Sequence, residues 1–111
     1  MNVLVYDNQL AYYELLKSNF SHNCNFVLFS PEDGAKTDAS FDLVMFFLYD
    51  ELELPDFMRM YSKDIPVIFG IMPKGESREF SVQGNIYYLH LDKLREEIIN
   101  EAEMLLEKIM A

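Results

Sequence analysis

Residues 41–49, Phe-Asp-Leu-Val-Met-Phe-Phe-Leu-Tyr, decide the fold of this chain. All of them except Asp42 are apolar or aromatic, so both faces of a strand formed by this stretch would be apolar. Such a strand must lie in the middle of a sheet that is covered on both sides. The stretch therefore predicts an α/β domain with this segment as its central strand.

Other short apolar segments have the composition of buried strands, and they lie at residues 2–6, 26–30, 65–72 and 85–91. A helical pattern follows the first of them. Tyr13, Leu16 and Phe20 recur at helical spacing within residues 9–20, which predicts an amphipathic helix with Asp7 or Asn8 as its N-cap.

Two further helices are predicted from their start signals and their apolar stripes. One begins at residues 50–53 with Pro55 in its first turn, and its inner stripe is Phe57, Met60 and Tyr61. The last helix is capped by Asp92. Its inner stripe consists of Leu94, Ile98, Ala102, Leu105 and Ile109.

Strand and helix patterns thus alternate along the chain, and such alternation builds a parallel sheet covered on both faces. We predict a three-layer, flavodoxin-like α/β sandwich with a five-stranded parallel sheet in the order 2-1-3-4-5. The helices in the second and fourth places, within 31–40 and 73–83, are expected to be short or degraded. With 111 residues the chain is expected to form a single domain, 1–111.

Composition excludes several classes of partner. The net charge of −10 repels phosphate backbones and anionic lipid head groups, so neither nucleic acid nor a membrane surface is expected to bind. A single cysteine, Cys24, excludes an internal disulfide and a multi-cysteine metal site. The sequence has no apolar run long enough for a membrane span, and a cytoplasmic location is expected.

In a sheet of this order, ligands bind beyond the carboxyl ends of the strands where the strand order reverses. That crevice follows the first and third strands. The residues predicted to line it are Asp7, Asn8, Phe47, Leu48, Tyr49 and Asp50, with Gly70 to Met72 beside them.

The segments Asp42-Leu43-Val44, Ile65-Pro66-Val67-Ile68, and Gly84 with Tyr88-Leu89 follow one another in an order that resembles the receiver domain of bacterial response regulators. The resemblance covers nearly the whole chain. It implies phosphoryl transfer to an aspartate at the end of the third strand, with magnesium held by an acidic pair. It also implies a lysine and a hydroxyl that stabilise the phosphorylated aspartate.

On this resemblance, most of the receiver machinery is replaced. Asp7 matches the first acidic position, and Asn8 stands at the second. Phe47 occupies the position of the attacking aspartate, Ile71 that of the hydroxyl, and Leu91 that of the lysine, or His90 if the register slips by one. A phenyl ring cannot be phosphorylated. The resemblance therefore implies a degenerate pseudo-receiver, neither an enzyme nor a cofactor-binding protein, that acts in signal transduction of the two-component type.

Two alternative interpretations of the sequence place a ligand in the crevice. In one, Asp50 is a displaced phosphoacceptor, and a divalent cation such as Mg²⁺ is held by Asp7 and Asp50. The competing interpretation makes Asp7 a helix cap and Asp50 part of a helix start, where acids are favoured by the dipole. In the other alternative, the chain is a small-molecule-binding flavodoxin-like domain.

A partner surface is expected along the fifth strand. Exposed aromatic side chains are enriched at protein interfaces, and Tyr87, Tyr88 and His90 lie on this predicted edge strand. By resemblance, partners and sister copies dock on the face made by the fourth helix, the fifth strand and the fifth helix. The partner is therefore expected to be another protein or a second copy of this chain.

Overall fold

The structure, a computed structural model, describes residues 1–29, 41–61, 64–72 and 85–110. The short helices predicted within 31–40 and 73–83 lie outside these residues, and so does the side chain of Met60.

Strands and helices alternate in the described residues as the sequence predicts. The strands are β1 (Asn2–Tyr6), β2 (Asn25–Leu28), β3 (Leu43–Phe47), β4 (Val67–Ile71) and β5 (Ile86–His90). The helices are α1 (Ala11–Phe20), α2 (Leu54–Met60) and α3 (Arg95–Met110), with a 3₁₀ turn at Glu51–Glu53 before α2. Most strand ends lie one or two residues inside their predicted limits.

All the strands are parallel, and their order in the sheet is β2-β1-β3-β4-β5, which confirms the predicted flavodoxin-like topology. The strongly apolar β3 is central, and every residue of β3 and β4 is buried. In the register of these two strands, Phe47 pairs with Gly70. This pairing places Gly70 next to Phe47 at the carboxyl edge of the sheet.

Side chains alternate between two cores, one on each face of the sheet. Leu43, Met45 and Phe47 of β3 pack with the buried residues of α1 and α3. Val44 and Phe46 point to the opposite face, where Phe57 of α2 is buried. The three predicted layers are therefore present in the described residues.

The position of α3 differs from the prediction. The helix begins at Arg95, three residues beyond the predicted cap Asp92, and Leu94 is 73% exposed. The buried residues of α3 are Ile98, Ala102 and Leu106, while Leu105 and Ile109 are half-buried beside them. The predicted stripe was thus partly wrong, because Leu94 precedes the helix and Leu106 follows Ala102 on the inner face. None of the helices in the described segments is long and apolar enough to cross a lipid bilayer.

Candidate functional site

The loops that follow β1 and β3 meet at the carboxyl edge of the sheet, because these two strands pair with each other. Asp7, the first residue after β1, is 4% exposed. The next turn of the chain is tight: Leu10 adopts a left-handed conformation with φ 60°, and its N–H donates to the Asp7 carbonyl at 3.3 Å. This turn brings the start of α1 back over the Asp7 side chain.

The carboxylate of Asp7 accepts four hydrogen bonds from the chain. Its Oδ2 accepts from the backbone N–H of Tyr12 at 2.9 Å and of Tyr13 at 2.8 Å. Its Oδ1 accepts from the N–H of Gln9 at 3.3 Å and from the hydroxyl of Tyr49. A carboxylate offers about four acceptor positions, so none remains for another ligand. The N-cap of α1 is Leu10, so the prediction of Asp7 or Asn8 at that position is wrong. The Asp7 side chain nevertheless accepts from N–H groups of the first turn of α1, as the capping interpretation expects.

The ring of Tyr49 closes the crevice above Asp7. Burial, the hydrogen bond to Asp7 and the charge of that carboxylate raise the pKa of Tyr49 far above its ordinary value. Tyr12 lies beside it, with ring centroids 6.3 Å apart, and burial and the Asp7 charge raise its pKa as well. Both hydroxyls therefore keep their protons at neutral pH, and Tyr49 acts as a hydrogen-bond donor.

A second buried carboxylate, Glu53, joins the same two loops from the other side. It is 8% exposed. Its Oε1 accepts from the backbone N–H of Tyr49 at 2.7 Å and of Asp50 at 2.9 Å. Its Oε2 accepts from the side-chain amide of Asn8. The sequence predicts Glu53 only as part of the helix start at residues 50–53, although the Asp50-x-x-Glu53 spacing is that of a capping box.

The Asn8 amide also donates to the hydroxyl of Tyr6 at 3.2 Å, which extends the network to α2. The Tyr6 hydroxyl donates in turn to Asp56 Oδ2 at 2.7 Å. Burial, followed by the hydrogen bond to Asp56, raises the pKa of Tyr6 to about 12. Tyr6 is a core residue whose ring stacks on Phe46 with centroids 4.2 Å apart.

Asp50 is the exposed N-cap of the 3₁₀ turn. Its Oδ1 accepts from the N–H of Leu52 at 2.9 Å, and together with Glu53 it forms a capping box. The helix-start interpretation of Asp50 therefore agrees with the structure. The hydrogen-bond donors to Asp50 are different from those to Asp7.

Magnesium requires several free oxygen ligands around one point. Both oxygens of Asp7 are occupied by donors of the chain. Within residues 1–29, 41–61, 64–72 and 85–110, no three His, Cys, Asp or Glu side chains converge on a position where a metal could bind. The oxygen atoms of the described residues thus do not fit the magnesium ion of the alternative interpretation.

Phe47, the residue at the phosphoacceptor position, is 1% exposed. Its ring stacks on that of Tyr12, with centroids 4.9 Å apart and planes 11° from parallel. Beneath it lie Gly70 and Leu91. Ile71, in contrast, belongs to the core on the other face of the sheet. Among the predicted crevice residues, the structure therefore joins Phe47 with Leu91 and separates both from Ile71.

The three residues of the expected partner surface are half-buried on β5, and they do not share one face. The Tyr87 ring packs on the α1 and α3 side, with Lys108 Nζ 5.7 Å from its centroid. Tyr88 packs on the opposite side, where its ring meets Phe69 edge-on. Successive residues of a strand must point in opposite directions.

His90 contacts α3. Its Nδ1 lies 3.2 Å from Glu101 Oε1, and Lys93 Nζ donates to the other oxygen of Glu101 at 2.6 Å. Burial would raise the pKa of Glu101, but the hydrogen bonds from Lys93 and His90 hold it below its ordinary value. Tyr87 and His90 are thus both in contact with side chains of α3.

No family model matches the chain, and no curated protein matches its sequence at a significant level.

Proposed function

We propose that the chain is a non-catalytic, receiver-like domain that acts in cytoplasmic signal transduction by binding another protein. One observation carries this proposal: the residue at the receiver phosphoacceptor position is Phe47, and its ring is enclosed by Tyr12, Gly70 and Leu91. A phenyl ring has no atom that can take up a phosphoryl group. Because the position is also closed to solvent, a phosphodonor has no access to it.

The neighbouring acid supports the same proposal. In a working receiver, the acid after the first strand must hold a metal ion that neutralises the phosphoryl oxygens. Here the acceptor positions of Asp7 are occupied by backbone N–H groups at and before the start of α1 and by the hydroxyl of Tyr49. The residue that the resemblance equates with a metal ligand therefore works as a structural connection between α1 and the loop after β3.

A domain that cannot accept a phosphoryl group can still bind another protein, and we place the protein-binding surface on β5 and α3. Tyr87 and His90 supply a ring and an imidazole there, and Lys108 and Glu101 supply charges beside them. Aromatic side chains are enriched in protein interfaces, and the rim of an interface is polar. Tyr88 belongs to the other face of the sheet and is left out of this surface.

The absence of phosphotransfer is tested by incubating the whole chain with acetyl phosphate and magnesium and measuring its intact mass. The proposal expects no phosphoryl adduct. Asp50→Ala serves as the matched variant, because Asp50 is the displaced acceptor of the alternative. A stoichiometric adduct that disappears in Asp50→Ala would overturn the proposal and establish an atypical receiver.

The binding surface is tested by photo-crosslinking in the cell of origin, with the crosslinker at position 87. The matched position is Val27, which lies on the opposite edge strand and is 39% exposed. A discrete crosslinked protein from position 87 and none from position 27 is expected. Equal crosslinking from both positions contradicts the proposed surface.

A further inference from the structure

A hollow of about 410 Å³ lies between the first half of α1 and the start of α3, which pack on the same face of the sheet. Pockets that bind small molecules typically enclose about 300–1,000 Å³. The hollow is near the carboxyl edge of the sheet, since Leu91 follows β5 and Tyr12 belongs to the first turn of α1. This is the edge at which folds of this class bind their ligands.

The floor of the hollow is apolar and belongs to the core. It consists of Leu15 from α1, Leu91 from the loop after β5 and Ile98 from α3, all of which are buried. Tyr12 adds an aromatic ring, which stacks on the ring of Phe47 at a centroid distance of 4.9 Å. The chain thus forms an apolar surface on which the ring of a ligand can pack.

Charged and polar side chains line the hollow around this floor. Glu14 and Ser18 are on the α1 side, one helical turn apart, and Lys93 and Arg95 are on the α3 side. The chain as a whole has 19 acidic and 9 basic side chains. Around the hollow there are two bases and one acid, so the charge balance of the protein is reversed at this place.

Arg95 is the base that remains for a ligand. Lys93 already donates to Glu101 at 2.6 Å. None of the hydrogen bonds and ion pairs among the residues that the structure describes involves the guanidinium of Arg95. The residues three and four positions further along α3 are Ile98 and Ile99, so the helix provides no acid on this side.

The position of Arg95 is also unfavourable for the helix. Bases are disfavoured in the first turn, because the helix dipole places positive charge there. The other charged residues of this turn, Glu96 and Glu97, follow the rule. The stability of α3 therefore does not account for an arginine at this place, whereas an anionic group bound beside it would.

We propose that this hollow binds a small aromatic carboxylate. The ring of the ligand packs on the floor beside Tyr12, and its carboxylate accepts two parallel hydrogen bonds from the guanidinium of Arg95. Glu14 fixes this orientation, because it repels a carboxylate placed on the α1 side. The crevice after β1 and β3 offers no such place, since Tyr49 closes it above Asp7. The inference goes beyond the proposed function and does not depend on it.

The test is a calorimetric titration of the whole chain with two indole compounds of nearly the same shape. Indole-3-acetate carries the carboxylate, and indole-3-acetamide is its neutral counterpart. The acetate is expected to bind about tenfold or more tightly than the amide, because the hydrogen bonds from a guanidinium to a carboxylate are charge-assisted. The affinity ratio of the two compounds therefore measures the contribution of the charge, while the indole ring is common to both.

Two variants separate the two parts of the site. Arg95→Gln removes the charge, and it is expected to weaken binding of the acetate about tenfold while the amide stays within about threefold of wild type. Ala11→Trp places a ring in the hollow from an exposed position on α1, and it is expected to abolish binding of both compounds. Arg59→Gln is the control on α2, across the sheet, where the side chain is 81% exposed. It is expected to bind both compounds as wild type does.

Circular dichroism is expected to be the same for all the variants, because Ala11, Arg59 and Arg95 are exposed. Equal affinity for the acetate and the amide overturns the proposal, and so does acetate binding that survives Ala11→Trp. A chain that binds neither compound at millimolar concentration overturns it as well. Each of these results leaves the proposed function in place, because that function is tested by the mass of the chain after exposure to a phosphodonor. Conversely, an adduct on Asp50 would contradict the proposed function and leave the ligand site standing.

Discussion

The ring of Phe47 lies directly against the α-carbon of Gly70 on the neighbouring strand. A methyl group on that α-carbon would lie 2.5 Å from Cδ1 of Phe47, 3.0 Å from its Cε1 and 3.3 Å from Cδ1 of Leu91. These distances are shorter than van der Waals contact. The aromatic residue at the end of β3 therefore requires the glycine at the end of β4, and the two positions are coupled.

We predict that Gly70→Ala destabilises the protein by about 1–3 kcal/mol, because the new methyl group must displace the buried Phe47 ring. The measurement is urea unfolding followed by circular dichroism. Phe47→Val removes the two ring atoms that would clash. In the Phe47→Val background the added cost of Gly70→Ala is expected to be smaller, and an equal cost in both backgrounds would contradict the contact.

The hydrogen bonds at Asp7 predict a second coupling, between Asp7 and Tyr49. Asp7→Asn is expected to cost about 1–3 kcal/mol, since it weakens the cap of α1 and the bond from the Tyr49 hydroxyl. In a double-mutant cycle, Tyr49→Phe should cost less once Asp7 has been changed.

The matched control for this cycle is Asp42→Asn. Asp42 is an exposed carboxylate that accepts one backbone hydrogen bond, from Asn2 at 2.8 Å. Its loss is expected to cost under about 1 kcal/mol. Additive effects of Asp7→Asn and Tyr49→Phe in urea unfolding would contradict the arrangement described for the crevice.

Part of this arrangement can be predicted from sequence. The residues 43–47 are apolar at every position, so a central buried strand follows from composition alone. Asp7 lies directly after a strand and before a helix, where a carboxylate finds unpaired backbone N–H groups. The central position of β3 and the hydrogen bonding of Asp7 to the start of α1 follow from local patterns of this kind.

The closing of the crevice depends on contacts between residues far apart in sequence, and no local pattern contains them. Tyr49 reaches Asp7 only because β1 and β3 are neighbours, and Tyr12 covers Phe47 only because the turn at Leu10 folds α1 back. Glu53 could have been found, since its spacing from Asp50 is that of a capping box. Its bond to Asn8 could not, because that bond joins two separate loops.

The raised pKa of Tyr6 predicts a loss of stability in alkaline solution. Below about pH 10 Tyr6 is protonated in both the folded and the unfolded chain, so its contribution is complete. As the pH rises from about 10 to about 12, the unfolded chain loses this proton while the folded chain keeps it, and the free energy of unfolding falls. Urea unfolding over this pH range should show the decline, and it should be shallower in Tyr6→Phe.

Asp56, which accepts the hydrogen bond from the Tyr6 hydroxyl, provides a second test of the raised pKa. Asp56→Asn removes the charge that helps to hold the Tyr6 proton but leaves the burial that contributes most to the shift. Tyrosine absorbance should then show that Tyr6 ionises at lower pH than in wild type, though above an ordinary tyrosine. An unchanged ionisation would mean that Asp56 has no part in raising the pKa.

The saturated carboxylate of Asp7 leads to the last prediction, which concerns magnesium. An ion that binds the folded chain alone raises its unfolding temperature in proportion to the logarithm of its concentration above the dissociation constant. Because the four donors of Asp7 must be released before an ion can bind, we expect millimolar magnesium to leave the unfolding temperature unchanged. Tyr49→Phe frees one acceptor position and is expected to behave in the same way, since the three backbone donors remain. Stabilisation of wild type by magnesium that is lost in Asp7→Asn would show instead that Asp7 gives up its cap to hold the ion.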